Sequence, residues 1–368
     1  MPSTDLIKEA DRIMTICNAC RYCEGYCAVF PAMELRRSFS EGDLKYLANL
    51  CHDCRDCYYA CQYAPPHEFD LNVPRTLTEL RLETYKEFCW PAPFKKLFER
   101  NGITVAAITL LSVFVVMLVT CLASGSETFF GAHAGPGAFY QVVPYAVMVA
   151  LFSALGIFIL VSHWKGVDNL WRKTGGGSYW FFDPAAHFQA IKDVLRLRYL
   201  EGGGEGCNYP DDRFSMSRRY FHHAVFYGFF LCLASTTVAM IYDHVLGLEA
   251  PYPVWSLPVV LGTIGGIALL IGTGGMLTLK FAMDRDPACL KSLGMDVTFT
   301  VLLFLTSFTG LLLLFLRATP FMGTLLTAHL GVVLGLFITM PYSKFIHVAY
   351  RYTALVRNAI EQAENRED

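Results

Sequence analysis

With 368 residues, 54% of them hydrophobic and only 17% charged, the chain is too apolar to fold wholly in water. A net charge of −2, with no basic stretch outside the apolar pattern, excludes a nucleic-acid partner. The length allows a second, water-exposed domain beside the lipid-embedded part.

Residues 5–16 read as a short helix with Leu6, Ile7, Ala10, Ile13 and Met14 on one face. Asp5, Lys8, Glu9, Asp11 and Arg12 interrupt any apolar segment, so no secretion signal is expected there. Cys17, Cys20, Cys23 and Cys27 follow as C-x2-C-x2-C-x3-C, and Cys51, Cys54, Cys57 and Cys61 repeat the spacing. A cubane [4Fe–4S] cluster takes four thiolates, and in two-cluster proteins the fourth cysteine of each run serves the other cluster. The expected quartets are therefore Cys17, Cys20, Cys23 and Cys61, and Cys51, Cys54, Cys57 and Cys27. A structural zinc site has no use for the middle cysteine of each run, and a disulfide framework lacks the secretory context. The remaining cysteines, Cys89, Cys121, Cys207, Cys232 and Cys289, are scattered and read as packing residues.

Between the runs, Ser40 can cap a helix carrying Leu44, Leu47, Ala48 and Leu50, which delivers Cys51. Pro65 and Pro66 break the chain, and Pro74 opens a helix with Leu77, Leu80, Thr84, Tyr85 and Phe88 on one side. No alternating strand pattern flanks either run. The expectation is an all-α chain: a small helical ferredoxin over 1–93, then a six-helix transmembrane bundle over 94–368. Phe94, Leu97 and Phe98 among Lys95, Lys96 and Arg100 form an interfacial ramp into it.

Six apolar stretches, at about 102–123, 142–163, 220–244, 254–280, 296–317 and 323–347, can each cross a bilayer. The loops near 124–141 and 245–253 hold no Lys or Arg. The 164–219 connection carries Lys165, Arg172, Lys173, Lys192, Arg196, Arg198, Arg213, Arg218 and Arg219. By the positive-inside rule both termini and the cluster domain face the cytoplasm, in a multi-pass protein of the cell inner membrane. Asp183 to Leu200 reads as a helix, and the glycine run from Gly202 to Gly206 as a flexible joint or a tight turn against the cluster domain. Gly262, Gly266, Gly272, Gly274 and Gly275 suit close helix packing, or room for a flat cofactor.

Ionisable side chains in lipid need a reason. His329 and His347 lie about five turns apart on the sixth span, so they face one way, ~27 Å apart along the axis. His222 and His223 end the antiparallel third span on the side of His347, and His244 ends it on the other. His347 with His222 or His223 can hold an iron porphyrin between two imidazoles, with a slight preference for His222. His329 with His244 is a weaker match in depth, and His163 is an alternative ligand or a quinone-site residue. His52, His67, His133 and His187 read as loop or surface residues.

The stretch from Cys51 to Pro74, with Gly202 to Pro210 and Arg218 to His223, resembles the tricarballylate-utilisation protein B (CitB-type) family over nearly the whole chain. That resemblance implies electrons taken from a cytoplasmic FAD-dependent dehydrogenase, which oxidises tricarballylate to cis-aconitate, and passed to membrane quinone. The last five spans also resemble the gamma subunit of respiratory nitrate reductase. There the haem-ligating histidines sit on the helices matching the third and sixth spans here. That pattern sets its second ligand deeper, near Cys232 of this chain.

The sequence reading is thus a membrane electron-transfer subunit with two [4Fe–4S] clusters, one haem b or two, and quinone as acceptor. No acid, base or nucleophile constellation for substrate chemistry is visible. The alternatives are a heterodisulfide or sulfur-cycle reductase-like redox subunit, and a six-helix transporter or sensor with regulatory clusters.

Overall fold

A computed structural model describes residues 4–176 and 183–367, and the described residues are overwhelmingly helical. The N-terminal domain holds α1 (Thr4–Cys20), α2 (Val29–Glu34), α3 (Glu41–Leu50), α4 (Asp56–Tyr59) and α5 (Val73–Phe88). Helix α1 buries Ala10, Ile13 and Met14, the face its spacing foretold. Ser40 starts α3 through a capping box: its hydroxyl accepts from the Asp43 amide, and the Asp43 carboxylate accepts from the Ser40 amide. Asn72 caps α5, accepting from the Arg75 amide at 3.2 Å, with Pro74 in the first turn.

Then come α6 (Asn101–Ser124), the short α7 (Ser126–Phe129) and α8 (Ala138–Val142), α9 (Tyr145–Lys173) and α10 (Pro184–Arg196). A two-residue hairpin pairs β1 (Cys207–Asn208) with β2 (Phe214–Ser215), a piece of strand the sequence reading did not foresee. The chain ends with α11 (Ser217–Leu246), α12 (Leu257–Ala282), α13 (Leu293–Leu316), α14 (Met322–Thr339) and α15 (His347–Glu367). Among the described residues six helices, α6, α9, α11, α12, α13 and α14, are long and apolar enough to cross a membrane. In the bundle α11 lies along α12, α12 along α13, and α14 along α6 and α13. Small residues permit the first contact: a Cβ on Gly265 would lie 2.8 Å from the Gly228 carbonyl oxygen, and one on Gly272 would meet Phe221 and Val225. That approach leaves no room between α11 and α12 for a flat cofactor.

Two expected spans are redrawn. Helix α9 runs ten residues beyond the expected end, so Lys165, Arg172 and Lys173 sit on it and not in a loop, and His163 is not at its end. The 323–347 span is not one helix. It stops at Thr339, because Pro341 cannot supply an amide and Ser343 turns extended, and a new helix starts at His347. His329 and His347 therefore share no helical register. The new helix, α15, is not a free tail: it packs against α3, α9 and α10 and closes over the cysteine domain. Arg36 pairs with Glu361 at 2.6 Å and with Asp43 at 2.7 Å across that seam.

Candidate redox sites

Cys17, Cys20, Cys23 and Cys61 are gathered around one open pocket of about 430 Å³, which Cys57 also borders. Cys20 is the last residue of α1, and Arg21 after it is left-handed at φ 55°. The Arg21 amide donates to the Cys17 carbonyl at 2.8 Å, which closes the turn. Burial, with the neighbouring thiols adding to it, pushes the Cys17 and Cys23 thiols up to about 12. Four thiolates can share this pocket only with positive charge between them, which is what a cluster's irons provide.

The second quartet lies deeper. Cys51 is the C-cap of α3 and is 7% exposed; Cys54 is 5% exposed. Cys57 belongs to α4, and the Val29 and Phe30 amides at the start of α2 donate to Cys27. Cys27 has Cys51 and Asp56 as neighbours, Cys54 has Cys27 and Asp56, and Cys57 has Cys27 and Cys51 first and then Cys23 and Cys17 of the other quartet. Asp53 and Arg55, on either side of Cys54, are both left-handed, and the Asp53 amide donates to the Cys51 sulfur at 3.4 Å. Among the described residues no three Cys, His, Asp or Glu side chains converge as a single metal ion would require. A cubane cluster asks for something different, four thiolates at separate corners, and both quartets have the donor chemistry for it.

Arginines from three distant segments grip this second loop. Arg81 of α5 donates to the Cys51 carbonyl, Arg351 of α15 donates to the same oxygen at 2.9 Å, and Arg218 of α11 donates to the carbonyls of Asp53 and His52. Arg55 and Arg218 both lie over the Tyr209 ring, 4.4 and 4.8 Å from its centre. The glycine run is a tight turn against this loop: a Cβ on Gly202, at φ 56°, would collide with the Asp56 carboxylate. Asp56 in turn accepts from the Asn208 amide at 2.9 Å. The turn brings Cys207, fully buried, into one cluster with Cys54, and its thiol donates to the Leu200 carbonyl at 3.5 Å. His52 is buried here and not a surface residue; its Nδ1 donates to the Leu50 carbonyl at 2.8 Å.

His222 and His347 lie at the ends of α11 and α15 nearest the second quartet, each four residues from an arginine that holds its loop. The His347 Nδ1 donates to the Lys344 carbonyl, which leaves Nε2 free. Burial, with Arg351 and Lys344 alongside, holds His347 well below its ordinary pKa, in the neutral form that ligates metal. The buried His222 Nδ1 has no hydrogen-bond partner among the described residues. His223 turns the other way, toward Tyr227 and the end of α10, and its buried Nε2 is likewise without a hydrogen-bond partner among the described residues. His163 on α9 donates through Nδ1 to the Ile159 carbonyl at 2.9 Å and leaves its buried Nε2 unpartnered. Its ring lies 6.0 Å from Phe345, which also meets Phe229 of α11 and Phe299 of α13. An unused imidazole nitrogen in an apolar, aromatic setting fits an axial ligand.

The structure does not bring His329 and His244 together. His329 bonds to the Thr309 hydroxyl of α13 at 3.0 Å, whereas the exposed His244 bonds to the Tyr145 hydroxyl of α9 at 2.7 Å.

Sequence reasoning missed three things. Cys207 sits inside the Gly202–Pro210 motif, whose specificity was its only signal. The arginine grip has no local signal at all. The third is buried Asp296 of α13, paired at 2.8 Å with Lys280 of α12 and with Lys344 between α14 and α15.

Comparison with known proteins agrees with the CitB-type resemblance. The family described as Citrate utilization protein B matches residues 100–368, and the Citrate utilization protein B Fer4-like domain matches residues 10–87. Citrate utilization protein B of Escherichia coli is 46% identical over 363 residues, covering 98% of this chain and 93% of that relative. No solved structure matches the chain.

Proposed function

Because this chain belongs to the citrate utilization protein B family, we propose that it is the membrane electron-transfer subunit of a flavoprotein dehydrogenase system. Electrons from a cytoplasmic FAD-dependent partner, of the tricarballylate dehydrogenase class, reach membrane quinone by way of two [4Fe–4S] clusters and one haem b. The clusters and haem would supply the one-electron carriers, and the side chains of this chain would hold and orient them. Cys17, Cys20, Cys23 and Cys61 hold one cluster, Cys27, Cys51, Cys54 and Cys57 the other, and His222 with His347 holds the haem. His163 and His329 remain for quinone or a second haem.

The observation that carries this reading is a continuous junction. The second cysteine loop is hydrogen-bonded by Arg218 and Arg351, each one helical turn from His222 or His347. The residues 1–93 form the cluster domain and 94–368 the membrane domain, with α15 returning to cover the first. The excess of Lys and Arg on the cluster side puts that side in the cytoplasm, with the chain in the inner membrane.

The test is anaerobic purification of the full chain, electron paramagnetic resonance (EPR) after reduction, and a reduced-minus-oxidised optical spectrum. Iron–sulfur signals, a b-type haem band and reoxidation by a quinone analogue are expected. A colourless protein with stoichiometric zinc would end this reading.

A further inference from the structure

We propose that Arg81, Arg218 and Arg351 make the Cys27, Cys51, Cys54 and Cys57 quartet the easier of the two to reduce, and so the one serving the membrane side. The inference rests on the proposed electron-transfer reading. The two cysteine runs have one spacing, so whatever separates their potentials must come from the surroundings.

Those surroundings differ in sign. Arg21 is the charged residue lining the first pocket, and its guanidinium turns away to donate to the Asn18 carbonyl at 3.0 Å. Tyr22 beside it is 69% exposed, so water screens that site. Four cations, Arg55, Arg81, Arg218 and Arg351, crowd the second loop, and Asp53, Asp56 and, beside Arg55, Asp284 are the carboxylates that oppose them. An added electron makes a thiolate-bound cluster more negative, so fixed cations favour the reduced form for the reason they favour an ionised carboxylate.

Burial alone works the other way, because it penalises extra charge. Yet the same low dielectric magnifies each nearby cation, and here cations outnumber carboxylates. Position agrees with charge. Arg218 and His222 share one turn of α11, and His347 and Arg351 share one turn of α15.

The experiment is an EPR-monitored redox titration of the full-length protein in detergent, wild type against Arg218→Gln, Arg351→Gln and Arg218→Lys. Wild type should show two one-electron steps at separate potentials. Each Gln variant should lower the upper step by about tenfold in the ratio of reduced to oxidised form, which is about 59 mV, and leave the lower step in place. The Lys variant, which keeps the charge, should stay close to wild type. Arg21→Gln, at the other pocket, should leave the upper step alone. If Gln and Lys variants shift alike, the arginines act by shape and the proposal fails; it also fails if the lower step moves or neither does. If an Arg218 variant loses its iron, the Arg351→Gln result decides alone. A wild type without any iron–sulfur signal would instead remove the reading beneath the inference.

Discussion

The two cysteine runs share one spacing, yet the protein treats them differently. The first opens onto a pocket beside an exposed tyrosine. The second is enclosed by α5, α11, α15 and the glycine turn, with four arginines around it. Spacing thus specifies what a run can bind, and long-range packing specifies in what electrostatic setting it binds. A C-x2-C-x2-C-x3-C run carries the first kind of information in full and none of the second.

The largest effect should come from breaking the exchange of fourth ligands. If Cys27 serves the deeper quartet, Cys27→Ser should remove about half of the bound iron and the upper redox step, sparing the other. Cys61→Ser should do the converse. Iron assay with EPR checks this, and loss of the step belonging to the variant's own run would show that each run binds by itself.

Next in size are the histidines that join the deeper quartet to the membrane. His222→Ala and His347→Ala should each abolish the b-type band in the reduced-minus-oxidised spectrum. His223→Ala, whose ring faces α10, should keep it. Retention of the band in His222→Ala would shift the ligand to His163, whose Nε2 is also unpartnered.

Much of this was legible in the chain because the signals were local. Ser40, Asn72 and Pro74 set helix starts, apolar stretches set the spans, and cysteine spacing anticipated that Cys17, Cys20, Cys23 and Cys61 would line one pocket. Hydropathy could not see the stop at Pro341: Met340, Tyr342, Phe345 and Ile346 continue the apolar run while the backbone turns, so a five-turn alignment of His329 and His347 looked sound. Nor can a linear pattern show that Arg81, Arg218 and Arg351 meet at one loop from segments more than a hundred residues apart. Cys207 fell between the two cases. It was visible within a specific motif, but only the fold shows that it joins one cluster with Cys54.

The bundle offers a smaller test of the same junction. Asp296 pairs with both Lys280 and Lys344, and Lys344 opens the turn that presents His347. Asp296→Asn leaves two buried ammonium groups with one neutral partner, a loss of about 3 kcal/mol. The thermal midpoint in detergent should fall, and the haem band should weaken before the iron–sulfur signal does. Equal loss of both would mean that the triad supports the whole fold and not the membrane side of the junction.

The smallest effect concerns the seam behind the deeper quartet, where α15 meets the start of α3. Burial raises the Asp43 pKa, but hydrogen bonds from Ser40 and Arg36 outweigh that and hold its carboxyl below the usual range. A group depressed in the folded state stabilises the fold above its unfolded pKa, and that contribution fades as pH drops through the folded value. Wild type should therefore lose thermal stability below about pH 4, and Asp43→Asn should lose less over the same interval. Acid lability of the clusters is common to both proteins, so the difference isolates the seam. If the two curves run parallel, Arg36 and Arg357 are satisfied by Glu361 alone, to which each is paired within 2.7 Å. The closure of α15 over the cysteine domain then depends on its apolar face, Ala354, Leu355 and Val356, which joins the same buried core as Leu47 and Ala48.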